Sequence, residues 1–166
     1  RSALWRLRQV APWLVAVAEE LQVSSDVEID VREARRVAGQ VADPIAANEN
    51  AELELFITDL LPDWYEDWVI IERERFRQTR LHALEDLCEL LASRGRYGRA
   101  IDAGLSAVAG EPLRESAHMI VIRAHLAEGN LGEAVRQFRS YSLLLEEELG
   151  VEPSEELKRL IGVPIT

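Results

Sequence analysis

The fold of this chain is decided by a pattern that occurs twice along the sequence. Residues 84–110 read LEDLCELLASRGRYGRAIDAGLSAVAG, and residues 118–144 read HMIVIRAHLAEGNLGEAVRQFRSYSLL. With an offset of 34 residues, Gly95 aligns with Gly129 and Ala100 aligns with Ala134. The apolar residues of both segments recur at helical spacing. The sequence therefore predicts two helical hairpins that stack side by side.

The residue types at the turns support this prediction. Gly95 and Gly129 lie where a helix ends and the backbone must become left-handed. Ala100 and Ala134 lie where the second helix of each hairpin crosses the first, because only a small side chain lets the two backbones approach. A 34-residue period of this kind is typical of the tetratricopeptide repeat. The residues predicted to pack the repeat are Gly95, Tyr97, Ala100, Gly129, Leu131 and Ala134. The alternative is two unrelated amphipathic hairpins of similar length.

Further elements follow from breaks and caps in the C-terminal half. The predicted repeat helices cover about 84–94, 97–109, 113–128 and 131–149, and Gly150 ends the last one. Ser154 is expected to cap a closing helix, with acids in its first turn and Lys158 and Arg159 at its far end. No Gly or Pro interrupts the stretch from Glu66 to Arg94. This stretch predicts one long helix, or alternatively two helices with a break near residues 78–82.

The N-terminal half carries shorter signals. Residues 1–10 are expected to form a helix, and residues 13–17 and 21–23 two short strands. Alternating apolar residues from Val27 to Val31 predict a further strand. Asp30 and Glu33 have the spacing of a capping box for a helix that Pro44 closes. Asn48 or Asn50 is expected to cap a short helix that carries five apolar residues: Leu53, Phe56, Ile57, Leu60 and Leu61.

Composition indicates an ordinary globular chain. The 166 residues are 48% hydrophobic and 30% charged, which suits one domain, or one domain with a small appendage. Cys88 is the single cysteine, so no intrachain disulfide can form, and we expect a buried structural thiol in a reducing cytoplasm. No apolar run is long enough to span a membrane, and no segment has the pattern expected of a signal peptide. The chain opens without Met in a helical pattern, which predicts that it is a fragment of a longer protein.

Charge is distributed unevenly along the chain. The formal net charge is −11, which argues against nucleic-acid binding by the whole surface. Residues 1–18 contain three Arg and no acid, whereas nine acids and no Lys or Arg lie between Val37 and Glu72. This asymmetry suggests two surfaces with different partners. The alternative is that the acidic face is simply solvated.

Motifs for catalysis and metal binding are absent or incomplete. The sequence contains no phosphate-binding loop, nucleophile elbow, HExxH or CxxC. Glu115 and His118 match half of a di-iron motif, but no second copy occurs. His118 and His125 fall at repeat-core positions, so we interpret them as structural. Trp64 and Trp68 are interpreted as packing a helix corner, with a ligand-stacking pair as the alternative. No metal, cofactor or enzymatic activity is predicted.

From about Val27 onward, the chain resembles the bacterial transcriptional activator domain of SARP-type regulators, the antibiotic-pathway activators of actinomycetes. The matching segments are IDV at 29–31, LPDWYEDW at 61–68, ERERF at 72–76, GRY at 95–97, PLRE at 112–115 and LEEELGVEPS at 145–154. In that family, an OmpR-type winged helix-turn-helix precedes the activator domain. Residues 1–8 resemble the end of its recognition helix, and residues 13–23 resemble its wing.

The resemblance implies two regions and a regulatory role. Residues 1–30 would be the C-terminal part of the winged domain, and residues 31–166 a mainly α, tetratricopeptide-like array of helical hairpins. The residues expected to face promoter DNA are Arg1, Ser2, Trp5, Arg6 and Arg8. The expected partners of the helical region are RNA polymerase or another regulator protomer, in a homodimer. The alternative function is a stand-alone adaptor that binds peptides or proteins and does not bind DNA.

Overall fold

The computed structural model describes residue 11 and residues 14–17, 20–24, 27–43 and 51–162. The predicted helix over residues 1–10 and its five predicted DNA-facing residues lie outside these ranges, as do Pro44, Asn48 and Asn50. The two predicted strands are present. Strand β1 (Leu14–Val17) pairs antiparallel with β2 (Glu20–Val23), with Leu14 opposite Val23.

Helix α1 (Asp30–Val41) corrects two predictions. Residues 27–29 form no strand, and the helix begins where the predicted strand should continue. The alternation of apolar and polar residues over 27–31 does not decide the structure, because Ala34, Val37 and Val41 share one helical face and are buried there. The capping box is also absent. Ile29 occupies the capping position without a side-chain bond, and the Glu33 carboxylate accepts hydrogen bonds from Arg36 instead.

Helix α2 (Glu54–Ile57) is a single turn, with Leu53 rather than an asparagine at its capping position. It buries Phe56 and leaves Ile57 exposed. Helix α3 (Asp67–Ser93) follows without interruption for 27 residues, so the single long helix is confirmed and the break near residues 78–82 is absent.

The hairpins occur where the 34-residue period predicts them. They are formed by α3 with α4 (Tyr97–Gly110), and by α5 (Glu115–Glu128) with α6 (Leu131–Leu149). Gly95, Gly129 and Gly150 have φ angles of 73°, 86° and 66°, the left-handed conformation that ends each helix. Helix α7 (Glu155–Ile161) closes the array, and the Ser154 side chain caps it by accepting from the Leu157 amide. The chain is thus mainly helical, with one short hairpin of strands near its start.

The core follows the hairpins in two apolar clusters. The larger joins α1, α2, α3, α4 and α5, and includes Phe56, Leu84, Leu87, Leu91 and Val121. The smaller joins α5, α6 and α7 around Tyr141, Leu145 and Leu157. Within the described ranges, no helix is both long enough and apolar enough to cross a membrane.

The repeat positions differ in how they are used. Ala100 and Ala134 are completely buried. Leu131 is 58% exposed, so its predicted packing role is wrong, and Tyr97 is half-buried. Helices α4 and α5 also approach each other closely at Gly104, which the sequence did not single out as a packing residue. A Cβ atom there would lie 2.6 Å from Val121 Cγ2 and 3.2 Å from Cys88 Sγ.

Candidate protein-interaction surface

An exposed aromatic surface lies at the N-terminal end of α3. Trp64 is 50% exposed, Tyr65 78% and Trp68 56%, and Ile71 is exposed one turn further along the helix. We call these four residues the aromatic corner. The two tryptophan rings meet edge to face, with centroids 6.5 Å apart and ring planes at 77°.

This exposure corrects the predicted role of the tryptophans. They contact each other, but they do not bury themselves in a helix corner. Their steep interplanar angle also leaves no parallel slot into which a planar ligand could stack. Clustered exposed aromatic side chains of this kind are typical of protein-interaction surfaces.

Arg73 fixes the loop that carries Trp64 and Tyr65. Its Nε donates to the carbonyl of Leu60 at 2.9 Å, and its Nη2 donates to the carbonyls of Trp64, at 2.8 Å, and of Leu61. Leu61 has a φ of 45°, which is costly for a residue with a branched side chain. The Arg73 guanidinium therefore binds three carbonyls around the strained residue and holds the loop against α3.

Arg80 fixes the preceding turn from a buried position. Its Nη1 donates to the carbonyl of Ile57 at 2.8 Å and to that of Phe56 at 3.4 Å, and its Nη2 lies 3.4 Å from Asp59 Oδ1. Burial lowers the pKa of Arg80, and the Asp59 carboxylate opposes that shift. Sequence reasoning placed no role on Arg73 or Arg80, because arginines in a charged helix are ordinarily solvated. The sequence signal for such a role was the very short helix α2, because the carbonyls of a one-turn helix need hydrogen-bond donors from elsewhere in the chain.

The carboxylates beside the aromatic corner are unpaired. Within the described part of the chain, Asp63, Glu66 and Asp67 form no ion pair. Asp63 and Glu66 line the same shallow depression as Trp64 and Tyr65. Glu66 occupies the capping position of α3, yet its side chain makes no capping bond. Among the described residues, the carboxylates of Asp63 and Glu66 thus have no ion-pair or capping partner.

Acids further along α3 are paired with arginines. Glu72 binds Arg75, and Glu74 binds Arg77. Hydrogen bonds from Arg77 and Gln78 lower the pKa of Glu74 to about 2. The difference has a simple origin, because the 36 residues from Val37 to Glu72 contain no Lys or Arg. The carboxylates beside the aromatic corner therefore lack the arginine partners that the acids further along α3 have.

A second polar network joins the two hairpins. Arg114 donates to both Glu85 oxygens, from Nε at 2.7 Å and from Nη2 at 2.9 Å, and Nη1 donates to Gln78 at 3.2 Å. Burial opposes ionisation of Glu85, yet the hydrogen bonds from Arg114 and Ser116 hold its pKa below the ordinary value. The Glu115 carboxylate accepts from the Ser154 amide at 3.0 Å. These bonds link α3 to α5, and α5 to the segment that precedes α7.

The predicted structural histidine is explained by its contacts. His118 Nε2 lies 2.8 Å from the Pro112 carbonyl, Nδ1 lies 3.0 Å from Gln137 Nε2, and the ring stacks on Tyr141 with centroids 4.1 Å apart. Nε2 can donate to the carbonyl and Nδ1 can accept from the amide, which suits the neutral ring. Burial lowers the pKa of His118 in the same direction. His125 is half-buried, and the described residues contain no cluster of three or more metal-ligating side chains.

The buried thiol and the exposed histidine also have clear positions. Cys88 is fully buried between α3, α4 and α5, and burial raises its pKa to about 12. A thiol with this pKa is not a nucleophile at neutral pH. His82 projects from the exposed face of α3.

Comparison with known families identifies the helical array. The model of the bacterial transcriptional activator domain matches residues 24–162, which covers most of the chain. The chain belongs to this family. The activator domain therefore includes the aromatic corner, both arginines that fix it, and both helical hairpins.

Two curated proteins are similar to this chain. The transcriptional regulator RedD of Streptomyces coelicolor is 36% identical over 84 residues, which are 51% of this chain and 24% of RedD. The regulatory protein AfsR of Streptomyces griseus is 26% identical over 140 residues, which are 80% of this chain and 14% of AfsR. The chain thus spans a quarter or less of these relatives. Its family is one of transcriptional regulators rather than enzymes.

Proposed function

We propose that the chain is the activator region of a transcription regulator, and that it works by binding other proteins. The observation that carries this proposal is the family match over residues 24–162. Stacked helical hairpins bury their apolar faces against each other and present extended surfaces to partners. The partner would be RNA polymerase or a second protomer of the regulator, in the cytoplasm and with no cofactor.

We further propose that residues 1–30 end a winged helix-turn-helix that binds promoter DNA. The paired strands β1 and β2 support this, because a wing is a short antiparallel hairpin. The sequence pattern of residues 1–8, with three Arg and Trp5, supports the same proposal. Arg1, Ser2, Trp5, Arg6 and Arg8 remain predicted DNA contacts, since all five lie outside the described residues.

Binding measurements on the 166-residue chain test the activator role. Purified Streptomyces RNA polymerase would be titrated onto the immobilised chain by biolayer interferometry, and self-association would be followed by sedimentation. We expect saturable polymerase binding or a reversible homodimer. If the chain shows neither polymerase binding nor self-association at micromolar concentration, the proposed function is refuted.

A further inference from the structure

The aromatic corner has the residue composition that is typical of the centre of a protein–protein interface. Trp64 and Trp68 are each at least half exposed, although large aromatic side chains in a monomer are usually mostly buried. Tryptophan and tyrosine are also the residues that most often dominate binding energy at protein interfaces. The apolar part of this surface therefore favours a protein partner.

The charge around the corner selects the chemistry of that partner. Asp63, Glu66 and Asp67 form no ion pair in the described ranges, and Asp63 and Glu66 share a depression with Trp64 and Tyr65. Nucleic acid and anionic membranes would be repelled by these carboxylates. An arginine or lysine of the partner would make two favourable interactions: ion pairs with the carboxylates and cation–π contacts with the tryptophan rings.

A second copy of the chain fits this surface poorly. A twofold dimer centred on this patch would place the same patch on both sides of the interface, so the unpaired carboxylates of one copy would lie near those of the other. Like charges across an interface oppose binding. Complementarity instead favours a partner with the opposite charge.

We propose that the aromatic corner is the docking site for a basic protein segment. Lys or Arg side chains of that segment would pair with Asp63, Glu66 and Asp67, and its aliphatic side chains would cover Trp64 and Trp68. This inference rests on the proposed function, since it names the chemistry of the partner that the activator region binds.

The first test uses two synthetic probes and the whole 166-residue chain. One probe is a helical peptide of leucine and lysine, and the other is the same peptide with glutamate in place of lysine. Binding of fluorescein-labelled peptide is measured by anisotropy at two salt concentrations. We expect the lysine peptide to bind more weakly at high salt, and the glutamate peptide not to bind.

Variants of the corner and a matched control locate the site. Trp64→Ala and Trp68→Ala should each weaken lysine-peptide binding by about tenfold or more. Asp63→Asn with Glu66→Gln should weaken it and reduce its salt dependence. The controls are Leu143→Ala, which truncates a side chain that is 65% exposed on α6, and Glu147→Gln with Glu148→Gln, which removes the same charge.

The outcomes separate the inference from the proposed function. Equal losses in the corner and control variants would mean attraction by net charge alone, and would overturn the inference. A homodimer that Trp68→Ala abolishes would make a second copy the occupant, and would overturn it as well. RNA polymerase binding that is identical in wild type and corner variants would refute the inference and leave the proposed function standing. Peptide binding at the corner, without polymerase binding or self-association, would refute the proposed function alone.

Discussion

Gly104 provides a sharp test of the helix packing, because two opposing effects act on the change Gly104→Ala. Gly in a helix interior costs about 1 kcal/mol relative to Ala, so propensity alone favours the substitution. The added Cβ, however, would lie 2.6 Å from Val121 Cγ2, whereas carbon atoms pack best at about 3.5–4.0 Å. Val121 is fully buried, and Cys88 Sγ is 3.2 Å away on another side. The new methyl group can therefore be accommodated only if the buried Val121 side chain shifts or α4 and α5 move apart.

The magnitudes decide the sign of the effect. Overpacking a core costs about 1–3 kcal/mol, and an overlap of this size belongs in the upper part of that range. Subtracting the helix gain of about 1 kcal/mol leaves a net loss of roughly 1–2 kcal/mol. For a chain of this length, that loss lowers the melting temperature by about 2–8 °C, from roughly 2–4 °C per kcal/mol.

The repeat itself supplies the controls for this experiment. Gly98 and Gly132 occupy equivalent positions, 34 residues apart in the first turns of α4 and α6. A Cβ at either position would meet nothing within 4 Å. Gly98→Ala and Gly132→Ala should each leave stability unchanged or raise it by about 0.5 kcal/mol. Urea denaturation followed by circular dichroism measures all three variants. The close approach at Gly104 would be disproved if Gly104→Ala proved as stable as the two controls.

Four further predictions address packing, the buried arginine, pH and DNA. Ala100→Leu and Ala134→Leu should each lower the free energy of unfolding by about 1–3 kcal/mol, measured by urea denaturation. Unchanged stability in both variants would contradict the repeat packing. Arg80→Met should cost about 1–3 kcal/mol by the same measurement, because the Ile57 and Phe56 carbonyls lose their donor, and an unchanged midpoint would contradict this. The pKa of His118 is lower in the folded than in the unfolded state, so stability should be full above about pH 6.5 and fall as the pH drops toward the folded pKa. His118→Gln should lack that slope in melts from pH 7.5 to 5. The 166-residue chain should bind promoter DNA weakly in anisotropy titrations, whereas in a parent with a complete winged domain Arg6→Ala should cost about 1–3 kcal/mol at the specific site. Tight binding by the chain alone, or no effect of Arg6→Ala, would contradict these two expectations.

Local signals explain why the C-terminal half could be predicted well. The turn glycines, the long uninterrupted helix and the Ser154 cap each depend on residues a few positions apart. The helix from Asp30 was likewise expected, but the strand predicted at Val27–Val31 is absent, because Asp30 and Val31 belong to that helix, whose apolar face is buried against other helices. Periodicity over five residues cannot distinguish these cases. Predictions therefore failed where the local structure depends on burial against an element that is distant in the sequence.

The same limit applies to the candidate interaction surface. Whether Trp64 and Trp68 pack or stand exposed depends on which element covers them, and the sequence does not contain that information locally. The carbonyl contacts of Arg73 and Arg80 span between 9 and 24 residues along the chain, so their partners emerge only in the folded structure. Gly104 became recognisable as a packing residue only once Val121 lay against it.

The arginine contacts favour binding at the proposed docking site, because they order its loop in advance. A loop that must become ordered on binding loses conformational entropy, and that loss weakens affinity. Here Arg73 binds the carbonyls of Leu60, Leu61 and Trp64 before any partner arrives, and Arg80 binds the turn that precedes them. Both arginines project from α3, whose central turns pack into the larger apolar cluster. The aromatic corner is thus preorganised by the helical hairpins, and its exposed tryptophans are presented on a fixed backbone.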